Sequence, residues 1–270
     1  TILMGALIGE VTKDTQVSQA APALLGAIAV FGVAFAVLFF SNIPEPKVEE
    51  GPKESNVQLL KGALSYRHFA LGLVAIFCYM GIEVGVPTYV NMYLVNTPSL
   101  GISAATAGLI VAVYWFMMLI GRFVGASIGN KVSSRTMITT VSILTLVLVA
   151  FGMFAPVTST VNVPGIDWAN LKLIWAEVPV GIFAFLLVGL CTSVMWGGIF
   201  NMAVEGLGKY TAVASGIFMT MVFGCAVMLA IQAQVAEMTD YMTSYWVVMF
   251  CAAYLLFYAL IGSRVTKRSE

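Results

Sequence analysis

Charged residues are scarce in this chain. Lysine and arginine number 13, aspartate and glutamate number 13, and together they make up 10% of 270 residues. A soluble domain carries about 25% charged residues. Because 60% of this sequence is hydrophobic, too few polar side chains remain to cover a soluble core. The formal net charge of zero also argues against a nucleic-acid partner.

Residues that support metal or enzyme chemistry are almost as few. The sequence has one histidine, His68, and four cysteines that all lie in apolar runs: Cys78, Cys191, Cys225 and Cys251. This placement predicts small packing residues rather than a disulfide framework or a metal site. The sequence contains no HExxH motif, no Gly-Lys phosphate loop and no pair of intramembrane carboxylates. We therefore expect neither enzyme activity nor a bound cofactor.

Long apolar runs dominate the sequence, whose mean hydropathy is +0.95. A run of about 20 residues, rising ~1.5 Å per residue, crosses the ~30 Å hydrocarbon core of a bilayer. The pattern predicts an all-α polytopic membrane protein with about seven transmembrane helices. The predicted spans are 21–40, 69–95, 104–128, 136–156, 178–203, 211–236 and 244–263.

The only long charged segment, residues 41–68, separates the first predicted span from the second. Its first part is rich in Pro, Glu and Lys, which is typical of a solvated linker. In its second part, Ser55 and Gln58 have the spacing of a capping box and predict a short amphipathic surface helix. One face of this helix carries three apolar side chains: Val57, Leu60 and Leu64.

Lysine and arginine orient the spans. If the spans alternate in direction, two basic residues, Lys13 and Lys172, lie on one side and all the others on the opposite side. The positive-inside rule makes the second side cytoplasmic, so we expect a cytoplasmic C-terminus. Four aromatic residues are then expected at the outer boundary: Trp168, Trp175, Tyr245 and Trp246.

The order of the spans suggests part of a two-half transporter, because many transporters join two helical halves through a cytoplasmic loop. The apolar residues at the start of the chain are too few to span a membrane. We expect four parts: residues 1–20, the end of a truncated helix and an outer loop; 21–40, the last helix of an N-terminal half; 41–68, a cytoplasmic inter-domain linker; and 69–270, a C-terminal six-helix domain.

Glu83 lies near the middle of the second span, ~21 Å along the helix from Phe69. A carboxylate at that depth costs a few kcal/mol or more unless it faces protein or a water-filled cavity. Tyr79, Glu83, Pro87 and Asn91 recur every four residues, and Pro87 removes a backbone hydrogen bond. We predict a loosened helix on which Tyr79, Glu83 and Asn91 bind a polar solute. Alternatively, Glu83 bonds a neighbouring helix and only holds the bundle together.

Later spans offer further candidates for solute binding. Tyr114 and Trp115 are adjacent, so only one of them can face a cavity, where an aromatic face would pack on a sugar ring. A glycine-rich helix adds polar and aromatic groups: Thr192, Ser193, Trp196 and Asn201. Towards the outer end of the following span, Gln232 is expected to be wet.

The third predicted span ends in a glycine pattern that allows close helix approach: Gly121, Gly125 and Gly129. Arg122 lies at its cytoplasmic end. Either it extends to the interface, or it pairs with helix-end carbonyls and closes a cytoplasmic gate. We favour the gating role.

Four segments resemble the Major Facilitator Superfamily, and more specifically its fucose–proton symporter family, which includes bacterial glucose/galactose transporters. They are FFSNIPEP (39–46), YMGIEVGVPTY (79–89), GRFVG (121–125) and SVMWGGIFNMAVEGLGKYT (193–211). The resemblance implies the second six-helix half of the family's bundle, plus the preceding helix. It implies a proton-coupled sugar symporter of the inner (plasma) membrane that alternates access by rocking two halves. The expected partners are a sugar, the lipid bilayer and the N-terminal half.

Two departures from this family limit what the resemblance implies. Gly197 stands where the family often has proline. The family's proton-coupling carboxylates are expected in the first half, so no residue here is assigned to proton transfer, and Glu83 is expected to bind solute or to gate.

Two alternatives remain open. One is a facilitator of a different small neutral solute or drug; an anion carrier would need a basic residue at mid-depth. The other is a seven-helix receptor, although residues 244–263 contain no lysine for a retinal Schiff base.

Overall fold

A computed structural model describes residues 21–41, 55–167 and 172–265. Expectations about residues 1–20, most of the linker and Trp168 lie outside this part. Nine α-helices and one hairpin form the described chain. In chain order they are α1 (Ala21–Phe40), α2 (Asn56–Leu64), α3 (Arg67–Asn96), α4 (Ala104–Ile128), α5 (Ser134–Phe154), β1 (Thr160–Asp167), β2 (Lys172–Pro179), α6 (Val180–Val204), α7 (Thr211–Thr220), α8 (Gly224–Met238) and α9 (Trp246–Phe257).

Six helical spans in the described part are long and apolar enough to cross a membrane, which confirms the predicted class. They are Arg67–Asn96, Ala104–Ile128, Ser134–Phe154, Val180–Val204, Gly208–Met238 and Thr243–Gly262. Every end lies within three residues of the sequence prediction. The first predicted span is α1, a helix of 20 residues whose described side chains are all exposed.

The span Gly208–Met238 is helical throughout but changes its hydrogen-bonding pattern. A 3₁₀ segment, Met221–Phe223, separates α7 from α8. At Gly224 the chain lies against the backbone of Phe77 in α3, and a side chain there would collide with it. Glycine therefore allows α8 to approach α3 closely just after the 3₁₀ turn. A 3₁₀ segment within a helical span often marks a hinge.

An antiparallel hairpin lies between α5 and α6. Strands β1 and β2 pair from Thr160 opposite Pro179 to Asp167 opposite Lys172. From the sequence this segment is only a break between two spans, so the hairpin is missed. The β-branched residues Thr160, Val161 and Val163 favour a strand, but Pro164 and Gly165 interrupt the run and are typical of a turn.

Two predictions of side chains at or near water are wrong. Tyr245 is fully buried: its ring stacks on Phe185 at 4.0 Å between centroids, and its hydroxyl donates to the Val86 carbonyl at 3.0 Å. Gln232 is also buried, and its amide nitrogen lies 3.4 Å from the Ser244 hydroxyl. Both polar groups find partners on other elements, so neither needs water. Trp175 and Trp246 are exposed, as expected of interfacial aromatics.

Helix α6 is the centre of the packing and contacts α3, α4 and α5. Glycines allow these contacts. Gly189 lies directly against the Tyr114 carbonyl of α4, and Gly198 lies against Ile138 of α5. In the predicted small-residue pattern, Gly121 faces Ser193 of α6 and Gly125 faces Val194 of the same helix. Gly129 has only the backbone of Gly125 nearby.

The linker helix α2 is anchored at its C-terminal end. Its start fits the predicted capping box, because Gln58 Oε1 accepts a hydrogen bond from Ser55 N at 3.3 Å. Gly62 lies against the Tyr210 ring, which is 5.9 Å from the Tyr66 ring. Two of the predicted apolar-face residues, Val57 and Leu64, are exposed to the surroundings. The contact between Gly62 and the Tyr210 ring therefore holds α2 against the bundle.

Just beyond α2, the buried His68 ties the start of α3 to the end of α6. Its Nε2 donates to the Glu205 carbonyl at 2.8 Å. The His68 carbonyl in turn accepts from the Tyr258 hydroxyl at 3.2 Å. One end of each of three spans is thus joined at this residue.

Asp240 caps the start of the last span. Its carboxylate accepts from the Thr243 hydroxyl at 2.6 Å, from Thr243 N at 2.9 Å and from Met242 N at 2.8 Å. These hydrogen bonds, that of the Thr243 side chain foremost, hold the pKa of Asp240 below its usual range.

The contact between α4 and α6 predicts different effects for two glycine substitutions in the same helix. Gly189→Ala places a methyl group against the Tyr114 carbonyl, and overpacking of this kind costs about 1–3 kcal/mol. Gly197 has open space around it, so Gly197→Ala is expected to be neutral or slightly stabilising. Thermal unfolding in detergent measures both. Equal melting temperatures for the two variants would contradict the close α4–α6 contact.

Candidate functional site

Glu83 lies about midway along α3, 16 residues after Arg67, or ~24 Å along the helix. Its side chain is half-buried, whereas Tyr79, one turn earlier, is buried. The two side chains are close enough to interact. An ionised carboxylate at this depth needs such partners, because the hydrocarbon supplies none.

Arg122 of α4 also interacts with Glu83, and this interaction is electrostatic. Its Nη2 lies 3.8 Å from the sulfur of Met118, one turn earlier in α4. The side chain thus extends towards the helix N-terminus, the direction in which helical side chains lean. That direction leads into the membrane. This orientation speaks against the alternative in which Arg122 extends to the interface, and the gating role stays a prediction.

Pro87 adds a backbone acceptor at the same place. Helix α3 continues through Pro87, but proline has no amide hydrogen to donate to the carbonyl four residues earlier. That carbonyl belongs to Glu83. Residue 83 therefore offers both a carboxylate and a backbone oxygen that lacks its usual helical donor.

Trp196 of α6 forms an aromatic wall next to this face. Its ring meets the Tyr79 ring edge-to-face at 6.1 Å and the Phe218 ring of α7 at 5.9 Å. The indole is only half-buried, so part of its surface remains available. Tyr79, Glu83 and Trp196 define what we call the mid-depth cluster.

Tyr114 and Thr192 play a different part from the one predicted. Their oxygens lie 3.1 Å apart, and both side chains have 0% exposed surface. Their burial leaves no surface for a solute, so they hold α4 to α6 instead. Of the adjacent pair, Trp115 is the exposed residue, with 44% of its surface accessible and its ring 5.3 Å from that of Tyr114.

Three predicted residues line a second space, towards the C-terminal end of α4: Arg122, Ser193 and Asn201. They border a cavity of about 250 Å³ between α4, α5 and α6. Asn201 also borders a cavity of about 560 Å³ that includes Arg135 and Glu205. Ser193 donates to the Leu190 carbonyl of its own helix at 2.6 Å. We call the first of these spaces the inner cavity.

The remaining candidate, Asn91, is half-buried two turns beyond Glu83 on α3. Two neighbours of the site were missed. Met118 precedes Arg122 by four residues, a spacing that predicts contact on a helix. Phe218 lies in the helix TAVASGIFMT, where neither its spacing nor its neighbours indicate the contact with Trp196.

Comparison with known proteins bears on this arrangement. The sequence pattern of the Major Facilitator Superfamily matches residues 1–231. The chain belongs to the Major Facilitator Superfamily. It is thus a multi-pass membrane protein of a transporter family, and its relatives are transporters rather than enzymes, as the sequence predicted.

Relatives within this superfamily carry sugar-transporter names. The chain is 27% identical over 260 residues to the glucose/galactose transporter of Brucella abortus biovar 1 (strain 9-941), covering 96% of this chain and 58% of that protein. It is 27% identical over 248 residues to the putative glucose/galactose transporter of Helicobacter pylori (strain J99 / ATCC 700824), covering 90% and 54%. The chain therefore spans little more than half the length of these relatives.

Solved structures share the fold. The transporter FucP in the outward conformation matches with a TM-score of 0.68 and 17% identity, over 93% of this chain and 56% of that one. A variant of the E. coli fucose:proton symporter FucP matches with a TM-score of 0.70 and 16% identity, over 97% and 63%. These matches agree with the resemblance seen in the sequence motifs.

The bond between Tyr114 and Thr192 predicts a stability change. Thr192→Val keeps the shape but leaves a buried tyrosine hydroxyl without its side-chain partner, at a cost of about 1–3 kcal/mol. Thr140→Val is the matched control, because Thr140 is exposed and its hydroxyl donates to the Thr136 carbonyl of its own helix. Detergent-solubilised chain should melt at a lower temperature with the first change only. A similar loss in both variants would show that the interhelical bond contributes nothing.

Proposed function

We propose that the chain is the C-terminal half, with the preceding helix, of a secondary transporter that takes up a sugar together with a cation, the proton being our choice. The names of its relatives support this substrate class, and the coverage of those relatives supports the division into halves. Alternating access would arise from rocking this half against the N-terminal half.

The observation that carries the proposal is the mid-depth cluster of Tyr79, Glu83 and Trp196. Sugar hydroxyls donate hydrogen bonds, and residue 83 supplies a carboxylate and a backbone carbonyl to accept them. The apolar face of a sugar ring packs on an aromatic face, and Trp196 leaves part of its indole uncovered. A half-buried carboxylate beside a half-buried indole therefore suits a polyhydroxylated ring.

The charges around the cluster favour a neutral solute. The guanidinium of Arg122 lies beside Met118, near the middle of α4, so a basic group approaches mid-depth. Glu83 and Arg122 nevertheless interact, and their opposite charges offset each other. An anion or a cation would disturb this balance, and an apolar drug would leave the Glu83 carboxylate without a solute partner.

The inner cavity supports a gating role for Arg122. The residue borders this space together with Ser193 and Asn201, on the cytoplasmic side of the mid-depth cluster. When solute occupies the cluster, it competes for Glu83, which changes the field on Arg122. We infer that Arg122 senses occupancy of the solute site and helps to close the cytoplasmic path.

The domain assignment follows the same logic. The described side chains of α1 are exposed although the helix is apolar, which suits a helix that packs in another bundle. We assign α1 to the N-terminal half and residues 69–270 to the C-terminal half. The bias of basic residues supports an inner-membrane protein with a cytoplasmic C-terminus.

Replacement of the carboxylate tests the solute site. In the complete transporter, Glu83→Gln is expected to lower sugar uptake at least tenfold, because the amide is a weaker acceptor and no longer balances Arg122. The control is Glu177→Gln, since Glu177 is exposed on strand β2. Uptake of labelled glucose or galactose by cells, normalised to membrane expression, measures the effect. Normal uptake by well-expressed Glu83→Gln would refute the role.

The isolated chain offers a second test. Because the solute site and both gates need two halves, liposomes containing only residues 1–270 are expected to show no glucose or galactose counterflow. The complete transporter serves as the positive control under the same conditions. Counterflow by the isolated chain would overturn the two-half proposal while leaving the chemistry of Glu83 untouched.

A further inference from the structure

Three sulfur atoms from three helices meet in the bundle, away from the proposed solute site. Cys78 belongs to α3, Met228 to α8 and Cys251 to α9. Cys78 precedes Glu83 by five residues, which places it roughly 140° around the helix from the carboxylate. We call these three residues the sulfur cluster.

The contacts within the sulfur cluster are close. Cys251 Sγ lies 3.8 Å from Met228 Sδ. The Cys251 thiol also interacts with Cys78, which lies three residues before Gly81 on the face of α3 turned towards Cys251. Gly81 permits this convergence, because a side chain at that position would collide with Met228 and approach Cys251 Sγ. The three sulfurs therefore lie around one point between α3, α8 and α9.

We propose that the sulfur cluster binds a soft monovalent d¹⁰ cation, of the class of Cu(I) and Ag(I). Thiolate and thioether sulfur are the ligands that such ions prefer, and two or three of them suffice. No group of three or more His, Cys, Asp or Glu that could hold a metal occurs among the described residues, so harder ions lack a full ligand set. Here the third ligand is a thioether.

Charge balance suits the surroundings of the site. Binding replaces one thiol proton: RSH and M⁺ give RS–M and H⁺, with no oxidation or reduction. The second cysteine and Met228 then coordinate as neutral ligands. The resulting complex has no net charge, which the apolar interior tolerates far better than a free ion. Cys78 and Cys251 are 2% and 1% exposed, and the half-buried Met228 provides the accessible side.

Silver titration of the purified chain in detergent tests the proposal without any transport assay. Calorimetry in thiol-free buffer is expected to show one tight site per chain. Cys78→Ala and Cys251→Ala should each weaken that site at least 100-fold. Met228→Leu preserves volume and apolarity, so it should fold normally and weaken binding about tenfold.

The other two cysteines provide matched controls. Cys191→Ala and Cys225→Ala remove thiols that lie outside the cluster, so the tight site should persist in both. Circular dichroism and melting temperature verify folding of every variant. Two results would overturn the proposal. One is tight binding that is unchanged in both Met228→Leu and a correctly folded Cys78→Ala. The other is loss of the tight site in Cys225→Ala.

Discussion

A hydrocarbon solvent offers no hydrogen bonds, so each polar group inside this bundle has to find its partner within the protein. That constraint organises α3. Its Glu83 carboxylate interacts with Tyr79 and Arg122, and its Val86 carbonyl accepts from Tyr245. The last two partners come from other helices. The interactions that satisfy the polar groups of α3 therefore also fix its position between α4 and α9.

The glycines of the bundle determine where the site can form. Gly189 brings the α6 backbone against the Tyr114 carbonyl of α4, and this close approach allows Tyr114 and Thr192 to bond. The same helix then presents Trp196 one turn after Thr192, where its ring meets Tyr79. The aromatic wall of the mid-depth cluster thus depends on a backbone contact that no larger residue would permit.

The spans could be read from the sequence because the length and apolarity of a run are local properties that the bilayer imposes directly. The burial and the partners of individual side chains depend on neighbouring helices, so the sequence does not predict them. The sequence predicts that Gln232 and Tyr245 lie in or near water, yet each is buried against another element. Periodicity correctly grouped Tyr79 with Glu83, but burial separates Tyr114 and Thr192 from any solute. For Arg122, sequence position leaves the interface and a gate as alternatives, and only the structure shows its side chain lying against Met118, one turn earlier in the helix.

The two sides of α3 differ in how firmly they are held. Towards α6, side chains interlock through aromatic contacts such as Tyr79 with Trp196. Towards α8, glycines provide the surface: Gly81 faces Met228 and Gly85 faces Gln232. Regular helical bonding is also interrupted in both helices, by Pro87 in α3 and by the 3₁₀ segment Met221–Phe223 just before α8. A smooth glycine surface beside two interrupted helices is where bending meets least resistance. Under the proposed rocking mechanism, we therefore expect α3 and α8 to move against each other while α4, α5 and α6 remain one rigid unit.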